Sequence, residues 1–263
     1  MLSTDKAHKL LLACLFAAVL FGTAPLAKVY GMDLTDLSEK VKGQIVQVLT
    51  PIPADGVSLG SGFWVDERGL VATCWHVVQA NPTAKIQIRS AVDVLFDTAR
   101  NNNAFANWEV FSASVVAHDE VNDLAILKVD GTPFGQKRAP MIVVGDHALS
   151  AHYASSIINE ELPLSGQQVL IAGYPLGQPY RVVQEGSVAS VAHSLPGFGQ
   201  TLKILVSTVA NHGNSGGPVY DAQGRVVGLL EGELRGQGNQ ERTGLEIVVP
   251  AFLLKRLLSS VPK

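Results

Sequence analysis

An all-β fold, a sandwich or barrel with one helix at the end, is the class this sequence predicts. Three observations carry that expectation. Short, often β-branched runs recur along most of the chain; turn signals such as "PIPADG", "DERG", "DAQG" and "LPGFG" separate them; and only "PAFLLKRLLSSV", near the end, has convincing helical spacing. The 25 glycines and the 6% aromatic content suit short strands joined by tight turns. At 263 residues and 47% hydrophobic, the chain can bury a sizeable core, as one large domain or two closely packed halves.

Residues 1–32 differ from the rest. Lys6, His8 and Lys9 precede an uncharged apolar run, Leu10 to Phe21, and then the small-residue stretch "GTAPLA". A basic start, a short hydrophobic run and a small-residue exit describe a secretory signal peptide. The run falls short of the ~20 residues of a spanning helix, although extended through Ala27 it can serve as an uncleaved anchor. Pro25 disfavours cleavage after Ala27, and "VYG" before Met32 is a second exit. Either way the expected location is exported: periplasmic or secreted, or tethered to the inner membrane. "LLAC" at Cys14 mimics a lipoprotein acylation site by coincidence, because almost no apolar segment precedes it.

The lead-in from Leu34 to Lys42 reads as a polar helix. The strand-like runs "QIVQVL", "SGFWV", "GLVAT", "KIQI" and "DLAILKV" then make a first half, with "TARNNNAFANWE" as an exposed loop within it. "QQVLIAGY", "GSVASVA", "LKILVST" and "RVVGLLEG" make a second half. The stretch from Ala139 to Pro163 has few breakers, and the division falls there, near residue 160. Phe252, Leu253, Leu257 and Leu258 form the apolar side of the terminal helix, after which no further folded module is expected. With a net charge of −3 and no long Lys/Arg cluster, a nucleic-acid partner is not expected. Beyond the signal one cysteine remains, Cys74, so no internal disulfide is expected and the thiol reads as a small buried hydrophobe.

The chemistry concentrates in "HGNSGGPVYD". A serine hydroxyl needs a neighbouring base and donors for the oxyanion that its attack creates. Glycines on both sides of Ser215 permit the required turn, and the N–H groups of Gly213 and Ser215 are the candidate oxyanion donors. His76, in "GLVATCWHVV", follows an apolar strand and is anchored by Val77 and Val78. His118, His147, His152 and His193 lie in polar or loop-like contexts, and His212 would flank the turn rather than face the hydroxyl. The carboxylate candidate is Asp123, at the start of a buried strand, with Asp119 and Asp130 as rivals.

Taken in order, "SGFWVDERGLVATCWHVV", "NDLAILKV", "VLIAGYPLG", "QEGSVASV" and "GNSGGPVYDAQGRVVGLLEG" resemble successive blocks of the trypsin-like serine proteases, closest to their bacterial HtrA (Deg) branch, from about residue 44 to 255. The resemblance implies a protease domain over 33–263 built of two six-stranded antiparallel β-barrels, about 44–160 and about 161–250, with a helix at about 250–260. It implies a triad across the cleft between them: His76 takes the Ser215 proton and returns it to the leaving amine, Asp123 holds the imidazole, and an acyl-enzyme is hydrolysed without metal or organic cofactor. Polypeptides, in unfolded or extended segments, are the implied partners.

Departures narrow this expectation. Asn214 replaces the aspartate of digestive relatives, so activation by a cut N-terminus is not expected. "TCWH" replaces the usual approach to the histidine, His212 stands where proline is frequent, and no PDZ domain follows. Val209 occupies the place where Arg/Lys-cleaving relatives carry an acid; with Ala210, Gly232 and Val248 it suggests a modest apolar pocket for small or aliphatic residues. Glu231 and Glu233 complicate this, since either could face the cleft, exposed strand-edge charges being the plainer reading. The loop from Ser194 to Gln200 corresponds to an activator-sensing loop of HtrA relatives. Two other readings stand beside the protease: a catalytically silent scaffold of the same fold, and a metal or thiol hydrolase using Cys74 with His76 and His212.

Overall fold

The computed structural model describes residues 33–53, 56–96, 104–131, 134, 142–144, 147–149, 153–178, 180–193, 195, 201–236 and 242–262. The export segment expected over 1–32 lies outside them, as does nearly all of the 194–200 loop.

Helix α1 (Leu34–Val41) buries Leu37 and Val41, four residues apart on one face, and carries Asp36 in its first turn and Lys40 in its last, signs that suit the helix dipole. Six strands then close the first barrel: β1 (Ile45–Ile52), β2 (Gly56–Asp66), β3 (Leu70–Thr73), β4 (Ile86–Phe96), β5 (Ala104–Asp119) and β6 (Leu124–Val129), in the order β1-β2-β3-β6-β5-β4. One turn of helix, α2 (Trp75–Val78), follows β3. Inward-facing Val46, Val48, Val71, Ile86, Ile88 and Leu127 fill the interior around Trp64, which is fully buried. Phe111, Phe134 and Tyr153 meet the Trp64 ring edge-on, with centroids 5.6–6.0 Å away. Truncating Trp64 to alanine removes the centre of this cluster, and a loss of about 3–5 kcal/mol is expected in urea denaturation.

The hairpin β4–β5 differs from the sequence expectation. The segment read as a loop from 98 to 109 is strand from Ala104 onward, in register Phe96↔Ala104 and Leu95↔Phe105. Asparagines at 101–103 signal a turn, but cross-strand pairing with β4 takes up the backbone groups just beyond them.

A short pair, β7 (Ile142–Val144) with β8 (His147–Leu149), lies in the stretch read as the division between halves. Next, β9 (Ile157–Ile158) runs parallel to β14 (Arg225–Arg235) and so joins the second sheet. That sheet contains β10 (Gln168–Gly173), β11 (Val182–His193), β12 (Leu202–Ser207), β13 (Pro218–Tyr220), β14 and β15 (Arg242–Pro250). Its order is β13-β10-β11-β12-β15-β14, and pairing of β13 with β14 closes a second six-stranded barrel. Helix α3 (Ala251–Leu258) lies against β14 of the second barrel and β5 and β6 of the first. Its buried residues are Ala251 and Leu254, whereas Phe252, Leu253, Leu257 and Leu258 are only half-buried, because the helix spans the seam between barrels rather than sinking into one.

Candidate active site

His76 reaches the site because β3 ends at Thr73 and the chain winds into α2, whose Val77 and Val78 are buried under the first barrel. Trp75 stacks on His118 at a centroid distance of 4.0 Å, pinning the outer side of the turn. Asp123 closes the β5–β6 turn in left-handed backbone (φ 57°), a conformation that aspartate tolerates better than most residues. Three bonds join the two segments. The Asp123 carbonyl accepts the Trp75 N–H at 3.2 Å. Its carboxylate accepts the His76 N–H at 2.8 Å through Oδ1 and lies 2.6 Å from His76 Nδ1 through Oδ2. With the proton on Nδ1, the other ring nitrogen is left as an acceptor. The rival aspartates are engaged elsewhere: Asp119 accepts from Asn122, and Asp130 pairs with Lys85.

Ser215 sits in a turn that two glycines make possible. Gly213 has φ 96°, and a Cβ there would stand 2.7 Å from the Tyr174 carbonyl and 2.9 Å from the Leu176 nitrogen. Gly216 has φ 84°, and a Cβ would stand 2.3 Å from both the Ser61 carbonyl and the Thr73 hydroxyl. The turn therefore packs against both barrels at distances only glycine allows. Ser61, buried on β2, does much of the joining: its N–H donates to the Ser215 carbonyl at 2.8 Å, and its hydroxyl donates to the Gly213 carbonyl at 2.7 Å. That hydroxyl also accepts the Tyr174 N–H at 2.8 Å. Sequence reading passed over Ser61; its one signal is its place between two glycines in "GSG". Among the described residues, neither the Gly213 nor the Ser215 N–H is used by a backbone hydrogen bond. The Ser215 hydroxyl donates to the Glu231 carbonyl at 3.1 Å and lines the same cleft as His76.

The cleft, about 580 Å³, is lined by His76 and Ser215 together with Ala210, Gly232 and a charged set. Val209 is not part of this wall and is 53% exposed; Val248 is fully buried in the core of the second barrel. Glu233, Arg242 and Glu246 line it as well, so charged groups stand beside Ala210, Leu230 and Gly232 in this wall. Glu246, 2% exposed, accepts the Ala210 N–H at 2.8 Å. Arg242 joins Glu233 at 2.6 Å and donates to the Ala210 carbonyl at 2.8 Å. Glu231 and Glu233 are not exposed edge charges, each side chain being only 11% exposed. A bulge between Leu230 and Gly232 leaves Glu231 as an extra residue without a cross-strand partner.

Burial opposes a charged imidazole at His76, yet the hydrogen bond and negative charge of Asp123, reinforced by Glu231, lift its pKa above the ordinary 6.5. Only neutral imidazole accepts a proton, so a reaction that uses His76 as its base is expected to quicken as pH rises and to reach half its plateau above pH 6.5. A pH profile of kcat/KM checks this. Burial pushes the Cys74 thiol well above its usual range, and its Sγ donates to the Leu230 carbonyl at 3.3 Å. A thiol held protonated in the core is poorly suited to nucleophilic or metal-ligand work, although its sulfur lies within 4.8 Å of the ligating atoms of His76 and Asp123.

A trypsin-like peptidase domain model matches residues 60–229, well over half of the chain. A Pseudomonas fluorescens protein named "Probable periplasmic serine endoprotease DegP-like" is 30% identical over 172 residues, 65% of this chain and 29% of that protein. A Halomonas elongata protein of the same name is 26% identical over 212 residues, 78% of this chain and 37% of its own length. The chain thus spans about a third of these relatives. Among solved structures, an M. tuberculosis protease in its active form superimposes with a TM-score of 0.64 at 19% identity, over 86% of this chain and 83% of that one. A serine endoprotease from Yersinia pestis gives 0.60 at 20% identity, over 86% and 65%. The two closed barrels, the glycine-bounded serine turn and the matched domain model make this chain a member of the trypsin-like peptidase family.

Proposed function

We propose that this protein is an exported serine endopeptidase in which His76, Asp123 and Ser215 form the triad and the Gly213 and Ser215 N–H groups form the oxyanion hole. One observation carries the reading: His76, bonded through Nδ1 to Asp123, shares a cleft with Ser215, and among the described residues the Gly213 and Ser215 N–H groups make no backbone hydrogen bond. In the reaction Ser215 Oγ attacks the peptide carbonyl while His76 takes its proton. The oxyanion collapses, His76 protonates the leaving amine, and water repeats the sequence on the acyl-enzyme. No step calls on a metal or organic cofactor. The protease domain runs over 33–263, its barrels about 44–160 and 161–250, behind a signal or anchor at 1–32. A periplasmic location is supported by that leader and by the names of the relatives.

Substrates are extended or unfolded polypeptide segments. Ala210, Gly232 and Leu230 favour small or aliphatic side chains before the scissile bond, with Glu233 paired to Arg242 and Glu246 bonded to the Ala210 N–H beside them. The test is covalent labelling by a fluorophosphonate probe followed by mass-spectrometric mapping. Modification at Ser215 is expected, and its absence from folded protein across pH and with peptide activators overturns the reading. A non-hydrolysing scaffold is the second reading, favoured by the Ser215 hydroxyl resting on the Glu231 carbonyl. It predicts peptide binding that survives Ser215→Ala, with no hydrolysis by the wild type.

A further inference from the structure

Lys203 is a lysine where lysines are rarely found. It lies on β12 with a side chain 1% exposed, and its Nζ is 2.6 Å from Glu231 Oε2. A buried ammonium is costly without a partner, and a buried ion pair is weak evidence for stability, since apolar residues often serve as well. Its position suggests another use. Glu231 is the extra residue of the β14 bulge between Leu230 and Gly232, which turns it out of the strand's alternation and onto the cleft wall beside His76 and Ser215. Its main-chain carbonyl takes the resting Ser215 hydroxyl, and the preceding carbonyl, of Leu230, takes the Cys74 thiol.

Resting on the triad reading above, we propose that Glu231, paired with Lys203 on the cleft wall it shares with His76, is a second carboxylate that supports His76, stabilising the imidazolium formed when Ser215 loses its proton. The groups facing this arrangement are few. Asp123 and Glu231 both favour a charged His76. Burial lifts the Glu231 carboxyl above its ordinary range and the negative charge of Asp123 adds to the lift, while the Lys203 ammonium and the charge of His76 oppose it. Cys74, beside Asp123, stays a thiol. The other charges of the cleft are engaged: Glu233 with Arg242 and Arg235, and Glu246 with the Ala210 N–H. Glu231 touches the reacting serine only through its main chain, so its side chain is a positioning group, and substitution leaves that carbonyl in place.

The test uses the whole chain with Glu231→Gln, Lys203→Met and both together. The His76 pKa is read by NMR titration of the imidazole, alongside the pH profile of fluorophosphonate labelling. Glu231→Gln is expected to lower the His76 pKa, and the acid limb of labelling with it, by about one pH unit. The plateau rate should fall roughly tenfold with KM for peptides unchanged. Glu231→Gln leaves Lys203 unpaired and the double variant strands no charge, so the double variant is expected to shift the His76 pKa in the same direction but by less, and it gives the reading if Lys203→Met alone does not fold. A His76 pKa and rate unaltered by Glu231→Gln, or by the double variant, overturn the proposal and leave the pair a packing feature. Wild type that never labels at Ser215 overturns the nucleophile instead, and the imidazole titration still decides the role of Glu231.

Discussion

Alanine at Ser215 is expected to lower kcat by about 10⁶-fold, down to the residual acceleration left by the oxyanion donors and peptide binding. The size of the loss follows from what the hydroxyl supplies: without Oγ there is no acyl-enzyme, and attack must come from an unactivated water. In the proposed triad His76 takes that proton, so His76→Ala should cost a similar factor, and the double variant hardly more than either single one. The measurement is kcat and KM on an extended peptide for the three variants and the wild type, with far-UV circular dichroism to verify folding. Losses that multiply would mean that the two residues act independently, which a proton transfer between them forbids. KM should change little, since the cleft wall from Ala210 to Glu246 is untouched.

Asparagine at Asp123 is expected to lower kcat by about 10⁴-fold near neutral pH. The carboxylate serves two donors at once, the His76 N–H through Oδ1 and the ring Nδ1 through Oδ2. An amide has only one acceptor oxygen. If that oxygen keeps the main-chain N–H, the NH₂ faces Nδ1, which must then become the acceptor, and the ring proton moves to the nitrogen that should receive the Ser215 proton. Stability should suffer less than activity, because the turn is also held by the Asp123 carbonyl bonded to Trp75 N–H. Steady-state kinetics together with imidazole NMR, which reports the tautomer, distinguishes this from simple unfolding.

Much of the fold was legible because it is written locally. Runs such as "DLAILKV" and "LKILVST" state their own preference for strand, and the turn signals between them mark where each ends. The helical lead-in lies at Leu34–Val41, as its spacing suggests. Ser215 announces itself through neighbours that only a tight, left-handed turn requires, and Gly213 and Gly216 adopt such backbone. Where composition and pairing disagree, local reading fails: the asparagines ahead of Ala104 suggest loop, yet β4 recruits the following residues into a ladder.

By itself, the amino-acid sequence determined the all-β class, the membership of the trypsin-like peptidases, and which histidine, aspartate and serine to watch. Backbone requirements and residue chemistry are properties of short segments, and these survive in the order of residues. The lining of the cleft was decided only by the tertiary structure. Val248 and Val209 look like pocket residues until register buries the first in the barrel and leaves the second outside the wall. A single bulge in β14 turns Glu231 toward the site, and barrel closure brings Lys203 from another strand to meet it. Ser61 likewise matters only because two barrels meet at its hydroxyl. Partners far apart in sequence are chosen by strand register and closure, and no local pattern encodes either.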